Sequence, residues 1–506
     1  MKKQRNQESA IRRAVSGLNY TGAAYLSDEV FERTLSELNG IFETYGYAGT
    51  FAELYAQWPV RKALPFFERM KPQMRKPGEI RTVATIYHRG YNGGIERVQA
   101  QLMSLWVEMG YHVVFFAEEA ENPLDFPYPD TVKRILIPRA DRIPERFAAL
   151  EKGIREENVD VLVNHNWGNS AVLWEDMLAN LLGASHINYI HAFFAWAIPC
   201  GIHAIYIPRI CRMCDAVVAL SETNARFFQL CGCNTYLVEN PVPEDLYQVA
   251  ECAPLASRHV LLIGRISAEK YPMEAMRVFK RVHDAFPDAV LDVVGADNGN
   301  NVEAMTQFCA ENGLTDAVVF HGLQSHEAVN RFFHDSACML FTSKMEGYPM
   351  VLLEAKAHGL PVAMYDLSFL TLVKGRKGIL TAPVGDIDGV AENVIRLLGD
   401  DEFRRECGRA AREDFELHAA YDLRQAWTDI FALCRREKVV SQAWYDPADV
   451  PEADRVIEPM LLEAVEKAYE NLLNQSLDYR IGSKVLRLPR AIKRMLSKWK
   501  GAVMGS

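Results

Sequence analysis

The sequence predicts an α/β protein built from two doubly wound parallel sheets in tandem, with helical extensions at both ends. Three observations carry this. Short β-rich runs alternate with helix-spaced segments in one long series, the pattern of parallel strands joined by crossover helices. A break at Asn240-Pro-Val-Pro divides the series into two similar halves. The 506 residues are 49% hydrophobic and 24% charged, an ordinary globular composition able to bury more than one core.

Residues 1–78 read as a helical extension. Val30, Phe31, Leu35, Leu38, Ile41 and Phe42 fall at helical spacing in a charged background, and Lys76-Pro-Gly closes the segment. The first β/α half, 79–240, places strands at Thr82–Tyr87, Val113–Ala117, Val161–Val163, Ile187–Ile190, Ala216–Leu220 and Tyr236–Val238. The second, 241–420, places them at Val260–Ile263, Leu291–Val294, Val318–Phe320, Ala337–Phe341, Pro361–Tyr365 and Gly378–Leu380, with helices such as Met273–Asp284 and Met350–Ala357 between. Two such halves face each other with the carboxyl ends of their strands, where ligands bind in this fold class. Residues 421–506 read as C-terminal helices. The first spans 421–436, and 441–475 are acidic and helix-prone. Beyond Pro489, Ile492, Met495, Leu496, Trp499 and Val503 form an apolar stripe flanked by Arg490, Lys493, Arg494 and Lys498.

Charge narrows the partners. The chain carries 56 basic and 66 acidic side chains, a net −10, which argues against a dedicated nucleic-acid binder. From Arg480 to Lys500 there are eight basic residues and no acidic one, leaving −18 on the rest. That basic amphipathic pattern over residues 480–503 predicts contact with an anionic membrane surface, the alternative being a helix packed on the first domain. MKKQRNQESAIRR lacks the apolar core of a secretory leader, and no run reaches the length of a membrane span. The nearest candidate, Ile187 to Pro208, is interrupted by His191, Pro199, Gly201 and His203. Ten singly scattered cysteines suit a reducing cytosol. The expected location is therefore cytoplasmic, peripheral at the inner face of the membrane. Cys211-x2-Cys214 and Cys231-x-Cys233 approach zinc spacing. An apolar strand, Ala216–Leu220, lies between the pairs and the second arm is too short, so buried thiols are expected.

Three motifs could carry chemistry. Gly93-Gly94-Ile95-Glu96 follows a strand and opens a helix, where glycines let backbone amides approach a phosphate. It lacks G-x-G-x-x-G spacing, which lowers a nicotinamide-cofactor reading. Gly264-Arg265 ends a strand, with Lys270 five residues on. Two cations there could clamp a pyrophosphate, the arginine as a fork and the lysine as a point charge. The most specific is Glu346-Gly-Tyr-Pro-Met-Val-Leu-Leu-Glu354. Two carboxylates flank a Gly347–Pro349 turn and a helix N-terminus that offers free amides to an anion.

From about Ile80 to about Cys434, the ordered pieces GGIERV, GRISAEK, LDVVG, VVFHGLQS and EGYPMVLLEAKAHGLPV resemble the retaining glycosyltransferases of the GT-B fold, family 4 (glycosyl transferases group 1). The resemblance implies two Rossmann-like domains, the first facing the acceptor and the second holding a nucleotide sugar. It implies that Glu346 contacts donor-sugar hydroxyls and Glu354 the ribose. Arg265 and Lys270 would hold the diphosphate, with Gly93, Gly94, Gly347 and the amides of Met350 and Val351 beside it. The base would sit near Leu323. A histidine ending a first-domain strand would contact the sugar near its anomeric carbon. His191 in NYIHAFF matches best, and His165 in VNHNW is the second choice, on the acceptor side. The family often has glycine after the second-domain lysine, whereas Tyr271-Pro272 follows Lys270 here.

The implied reaction moves a sugar from a nucleoside-diphosphate sugar, uridine favoured, to an acceptor hydroxyl with retention. Arg265, Lys270 and a helix N-terminus would neutralise the leaving diphosphate, so neither a metal nor another cofactor is expected. Asp386-Ile-Asp388 resembles a metal-binding pair but reads as helix capping. Surface-glycan or lipid-linked glycan assembly fits a membrane-facing tail. The alternatives are a nucleotide-sugar epimerase, a sugar phosphorylase, or a non-catalytic partner subunit. Residues 1–78 leave acceptor binding, membrane contact and self-association open.

Overall fold

The computed structural model describes residues 2–434 apart from 19, 21–25, 75–77, 92, 167–170, 198–205, 250–256 and 376, together with 457, 460 and 466. The basic tail at 480–503 and most of 441–475 lie outside the described residues.

The first half is a seven-stranded parallel sheet of β1 Thr82–Tyr87, β2 His112–Ala117, β3 Lys133–Leu136, β4 Val161–Asn164, β5 Ser185–Ile190, β6 Ala216–Ala219 and β7 Thr235–Leu237, in the order β3-β2-β1-β4-β5-β6-β7. The second is a six-stranded parallel sheet of β8 His259–Ile263, β9 Val290–Val294, β10 Val318–Gly322, β11 Cys338–Phe341, β12 Val362–Tyr365 and β13 Ile379–Ala382, in the order β10-β9-β8-β11-β12-β13. The expected strands form, and β3 is an addition. Its Lys-Arg-Ile-Leu sequence lies at the sheet edge with no fully buried residue, so it lacks the apolar run that marks the others. In both sheets the strand order reverses beside the first strand, between β1 and β4 and between β8 and β11, which opens a crevice at the carboxyl ends.

Strand alternation divides the first core. Val83, Val113, Phe115, Val161 and Val163 face one side, and Ala84, Ile86, Val114, Phe116 and Leu162 the other. The second side is covered by the N-terminal helices. Phe51 and Phe67 pack edge-on against Trp174, with ring centroids at 6.1 and 5.2 Å. Lys71 reaches Asp176 at 2.9 Å inside the protein. Burial pulls the Lys71 amine down, but Asp176 and Asp215 outweigh it and hold the amine above its usual value. The N-terminal helices, through buried residues such as Ile11, Phe31, Phe51 and Phe67, are therefore part of the first domain's core. Cys211, Cys214 and Cys233 are buried free thiols, and Cys231 is partly exposed. Cys214 instead shares a buried cluster with Asp176 and His186, each offering a ligand atom within 4.8 Å of the others, and Lys71 brings a positive charge to it.

Among the described residues, the chain crosses between the halves twice. Residues 238–243 lead into the second half, and the helix Leu423–Cys434 returns to the first. There Trp427 meets Trp106 edge-on at 4.8 Å, and Ser185 Oγ donates to the Cys434 carbonyl at 3.2 Å. Ile457 is buried with Phe194 and Phe227 of the first half. The hinge itself is polar. Glu239 accepts from the Tyr348 hydroxyl at 3.2 Å and lies 2.5 Å from His418 Nδ1. His418 also neighbours Asp414, which pairs with the buried Lys356.

Candidate active site

The loop after β1 brings Gly93 to the start of the helix Gly94–Glu108. A Cβ on Gly93 would lie 2.3 Å from Glu96 Oε2, so the glycine makes room for a carboxylate that folds back over the helix start. Glu96 is buried and pairs with Arg89 at 3.1 Å, and burial pushes its carboxyl up. Gly94 faces the other half, since a Cβ there would lie 3.8 Å from Met350 Cγ.

The loop after β8 is shaped by two glycines. Gly264 and Gly295 have φ of +134° and +142°, and a Cβ on Gly295 would sit 1.8 Å from the Gly264 carbonyl oxygen. Arg265 follows, largely exposed and 3.7 Å from Glu269. Its charge reaches across to Tyr87 at the end of β1, where burial raises the phenol and Arg89 and Arg265 pull it down. Tyr271 takes the left-handed conformation, φ +52° and ψ +51°, that a glycine would adopt freely. Thr342 Oγ1 holds this turn by donating to the carbonyls of Lys270 and Tyr271, at 3.1 and 3.3 Å. The Lys344 ammonium lies 4.4 Å from the Tyr271 ring centroid and 2.6 Å from Glu274. The turn thus aims Lys270 at Glu346, and the two form an ion pair.

The loop after β11 closes the arrangement. A Cβ on Gly347 would lie 1.9 Å from the His191 carbonyl oxygen and 3.1 Å from Ala192 Cα. Glycine here lets the turn of the second half seat directly on the backbone beyond β5 of the first. Pro349 then caps the helix Met350–Ala357, whose first-turn amides include those of Met350 and Val351. Glu354 is buried on this helix and accepts from Arg97 Nη1 at 2.5 Å. Arg97 Nη2 donates to Asp245 at 3.0 Å.

His191 stacks on Tyr189 at 4.4 Å and on His165 at 5.0 Å, and its Nε2 lies 2.7 Å from His165 Nδ1. One imidazole must donate to the other, so at least the accepting ring is neutral. Burial agrees, holding His165 down to about 3 and His191 well below its usual value. The structure thus brings both candidate histidines together.

Leu323 is exposed just past β10. Asp386 caps the helix Ile387–Gly399 by accepting from the Gly389 amide at 2.9 Å, and Asp388 pairs with Arg281. Two features escaped the sequence reading. One is Arg97. The other is a buried network at the carboxyl ends of the first sheet: Arg146, fully buried, donates to Glu118 at 2.7 Å and to Glu175 at 2.8 Å. His88 joins Glu118 at 2.7 Å and Asn164 joins Glu175 at 2.7 Å. Only the "ER" of GGIERV hinted at the first, and nothing in IPERFAAL marked Arg146.

Two family profiles match the two halves in series. One described as Glycosyltransferase Family 4 spans residues 92–246, and one described as Glycosyl transferases group 1 spans 251–414. The chain belongs to the group 1 glycosyltransferases. This glycosyltransferase is 21% identical over 355 residues to an uncharacterized glycosyltransferase of Haemophilus influenzae, covering 68% of this chain and 98% of that one. It is 25% identical over 224 residues to an exopolysaccharide phosphotransferase of Streptomyces coelicolor, covering 43% of this chain and only 23% of that protein. Among solved structures, HepE of Anabaena, in complex with UDP-glucose, superposes with a TM-score of 0.55 at 15% identity, over 69% of this chain and 98% of that one. The glycosyltransferase has the GT-B arrangement of two facing parallel-sheet domains. Among the described residues, no helix is long and apolar enough to cross a membrane.

Proposed function

We propose that the protein transfers a hexose from a nucleoside-diphosphate sugar, uridine favoured, to an acceptor hydroxyl with retention and without a metal ion. The observation that carries this reading is the contact of Gly347 with the His191 backbone. It makes one locus of the carboxylate turn, the Lys270–Glu346 pair and the histidine stack, which come from opposite domains. In this reading the diphosphate lies along the Met350 and Val351 amides, with Lys270 and Arg265 taking up its charge. Glu346 accepts from sugar hydroxyls and Glu354 from the ribose. As the C1–O bond to phosphate breaks, that phosphate oxygen accepts the acceptor's hydroxyl proton. The new C1–O bond forms on the same face. The UDP-glucose seen in HepE supports uridine as the base. The relative named exopolysaccharide phosphotransferase supports surface-glycan assembly. The basic tail from Arg480 is what suggests a lipid-linked acceptor at the inner membrane face.

A thermal-shift screen of nucleotide sugars, followed by product analysis with and without acceptor, tests the reading. A uridine-linked sugar should raise the melting midpoint, and transfer should occur without added metal and survive chelation. Sugar interconversion without acceptor would instead establish an epimerase, and dependence on inorganic phosphate a phosphorylase. No nucleoside-diphosphate affinity at millimolar ligand would leave a non-catalytic subunit. Flotation with anionic liposomes, full chain against a chain ending before Arg480, tests the tail. Equal recovery would remove the membrane role.

A further inference from the structure

We propose that Arg97 is a positioning residue for the donor: it fixes the Glu354 carboxylate and thereby makes nucleotide affinity in the second domain depend on a side chain of the first. The proposal rests on the reading of Glu354 as the ribose ligand. Arg97 lies one turn into the helix that opens at Gly94, so its guanidinium leaves the first domain where that domain approaches Met350. Its fork spans two acids from separate segments, Glu354 Oε1 at 2.5 Å and Asp245 Oδ1 at 3.0 Å. Asp245 belongs to the short 3₁₀ helix Glu244–Gln248 that follows the hinge. The Arg97 and Glu354 side chains are 13% and 10% exposed, so the pair is poorly screened and removal of the cation takes a close opposite charge from a buried carboxylate. Two acids drawn to one guanidinium would repel each other without it. A lysine offers a point charge and not a planar fork, so it cannot reproduce both contacts.

The geometry therefore ties three separate segments, the glycine-loop helix, the turn after residues 238–243 and the proposed ribose carboxylate, through one residue. Donor binding should be sensitive to Arg97 through Glu354, while acceptor binding should not.

Isothermal titration of the full chain with uridine, guanosine and adenosine diphosphates first identifies the tightest wild-type ligand. That ligand is then titrated into Arg97→Ala, Arg97→Lys, Glu354→Ala and the Arg97–Glu354 double variants. Arg97→Ala and Glu354→Ala should each weaken binding by about tenfold or more and Arg97→Lys by about threefold, while each double variant stays within about twofold of Glu354→Ala alone. In steady state the donor KM should rise with the acceptor KM nearly fixed, a split that a general structural fault would not produce. Losses that multiply in the double variants would overturn the proposal, because Arg97 would then act independently of Glu354. Full affinity in both Arg97 variants with loss in Glu354→Ala would overturn it and leave the donor reading standing. Full affinity in Glu354→Ala, or no wild-type affinity for any of the three, would overturn both. Should melting curves show Arg97→Ala unfolded, Arg97→Lys and its double carry the same comparison.

Discussion

The two faces of the cleft are built differently. On the second domain, Arg265, Lys270, Glu346 and the Met350 helix come from two loops, one after β8 and one after β11, and the ion pair between Lys270 and Glu346 joins them directly. On the first domain, charge is held by Arg146, Glu118, Glu175, His88 and Asn164, drawn from five segments and linked by hydrogen bonds between side chains far apart in sequence. The second-domain face is a pair of loops whose shape is set locally by glycines and a strained turn. The first-domain face is a buried network whose members hold one another. The first should lose chemistry before stability when altered, and the second the reverse.

Arg146→Ala is the most direct attempt to break this contrast. The guanidinium is fully buried between two carboxylates, so its removal should cost about 3–5 kcal/mol, read as a lower denaturant midpoint. The folded fraction should still bind a nucleoside diphosphate to within about threefold of wild type. Parallel collapse of both properties would show that the two faces are not separable.

The segment between them should respond to pH. Burial lowers the His418 pKa, but Asp414 and Glu239 outweigh it and raise the group to about 9. A pKa raised on folding gives stability that is complete below the unfolded value near 6.5 and disappears as pH rises through about 9. Stability should therefore fall by up to about 3 kcal/mol between pH 6.5 and 9.5, and His418→Gln should flatten that slope. Denaturant midpoints measured across this window for both proteins check it. An unchanged slope in the variant would assign the pH response elsewhere.

The same contrast explains what the sequence made legible. Glu346, Glu354, Arg265 and Lys270 stand at short fixed spacings beyond apolar runs, so motif spacing and the family resemblance singled them out as candidates. The strands were readable because parallel strands buried on both faces are nearly continuous apolar runs. β3 was not, because its residues are only half-buried at an edge. Arg97 and Arg146 look like the exposed arginines of any amphipathic helix, and only tertiary folding supplies their acids, from Glu354 and Asp245 and from Glu118 and Glu175. The N-terminal helices were readable as helices. Their docking was not, because it depends on partners such as Lys71 and Asp176 that lie 105 positions apart.

Lys270→Ala sharpens the donor side of the comparison. The lysine is 30% exposed and Glu346 only 11%, so the pair is partly screened and the loss of stability should stay well below that of Arg146→Ala. On the proposed reading, in which Lys270 is a fixed cation at the leaving diphosphate, turnover should fall about tenfold or more, a barrier increase of about 1.4 kcal/mol or greater. Glu346→Ala should fall in the same range. Wild-type rates in both would remove the site assignment.

The finest test lies one residue on. Tyr271 stands in a left-handed turn that costs a non-glycine residue about 1–2 kcal/mol. Its ring recovers part of that by accepting the Lys344 ammonium, worth about 0.5–1 kcal/mol at such a site. Glycine would remove the strain, lose the ring contact and gain freedom in the unfolded chain, three changes that nearly cancel. Tyr271→Gly should therefore leave the melting midpoint within the shift expected of about 1 kcal/mol. It should still lower kcat/KM several-fold, because a freer turn no longer fixes the direction of Lys270. Unchanged activity would mean that the Thr342 hydrogen bonds alone set the turn, and a second substitution, Thr342→Val in the Tyr271→Gly background, should then produce the missing loss.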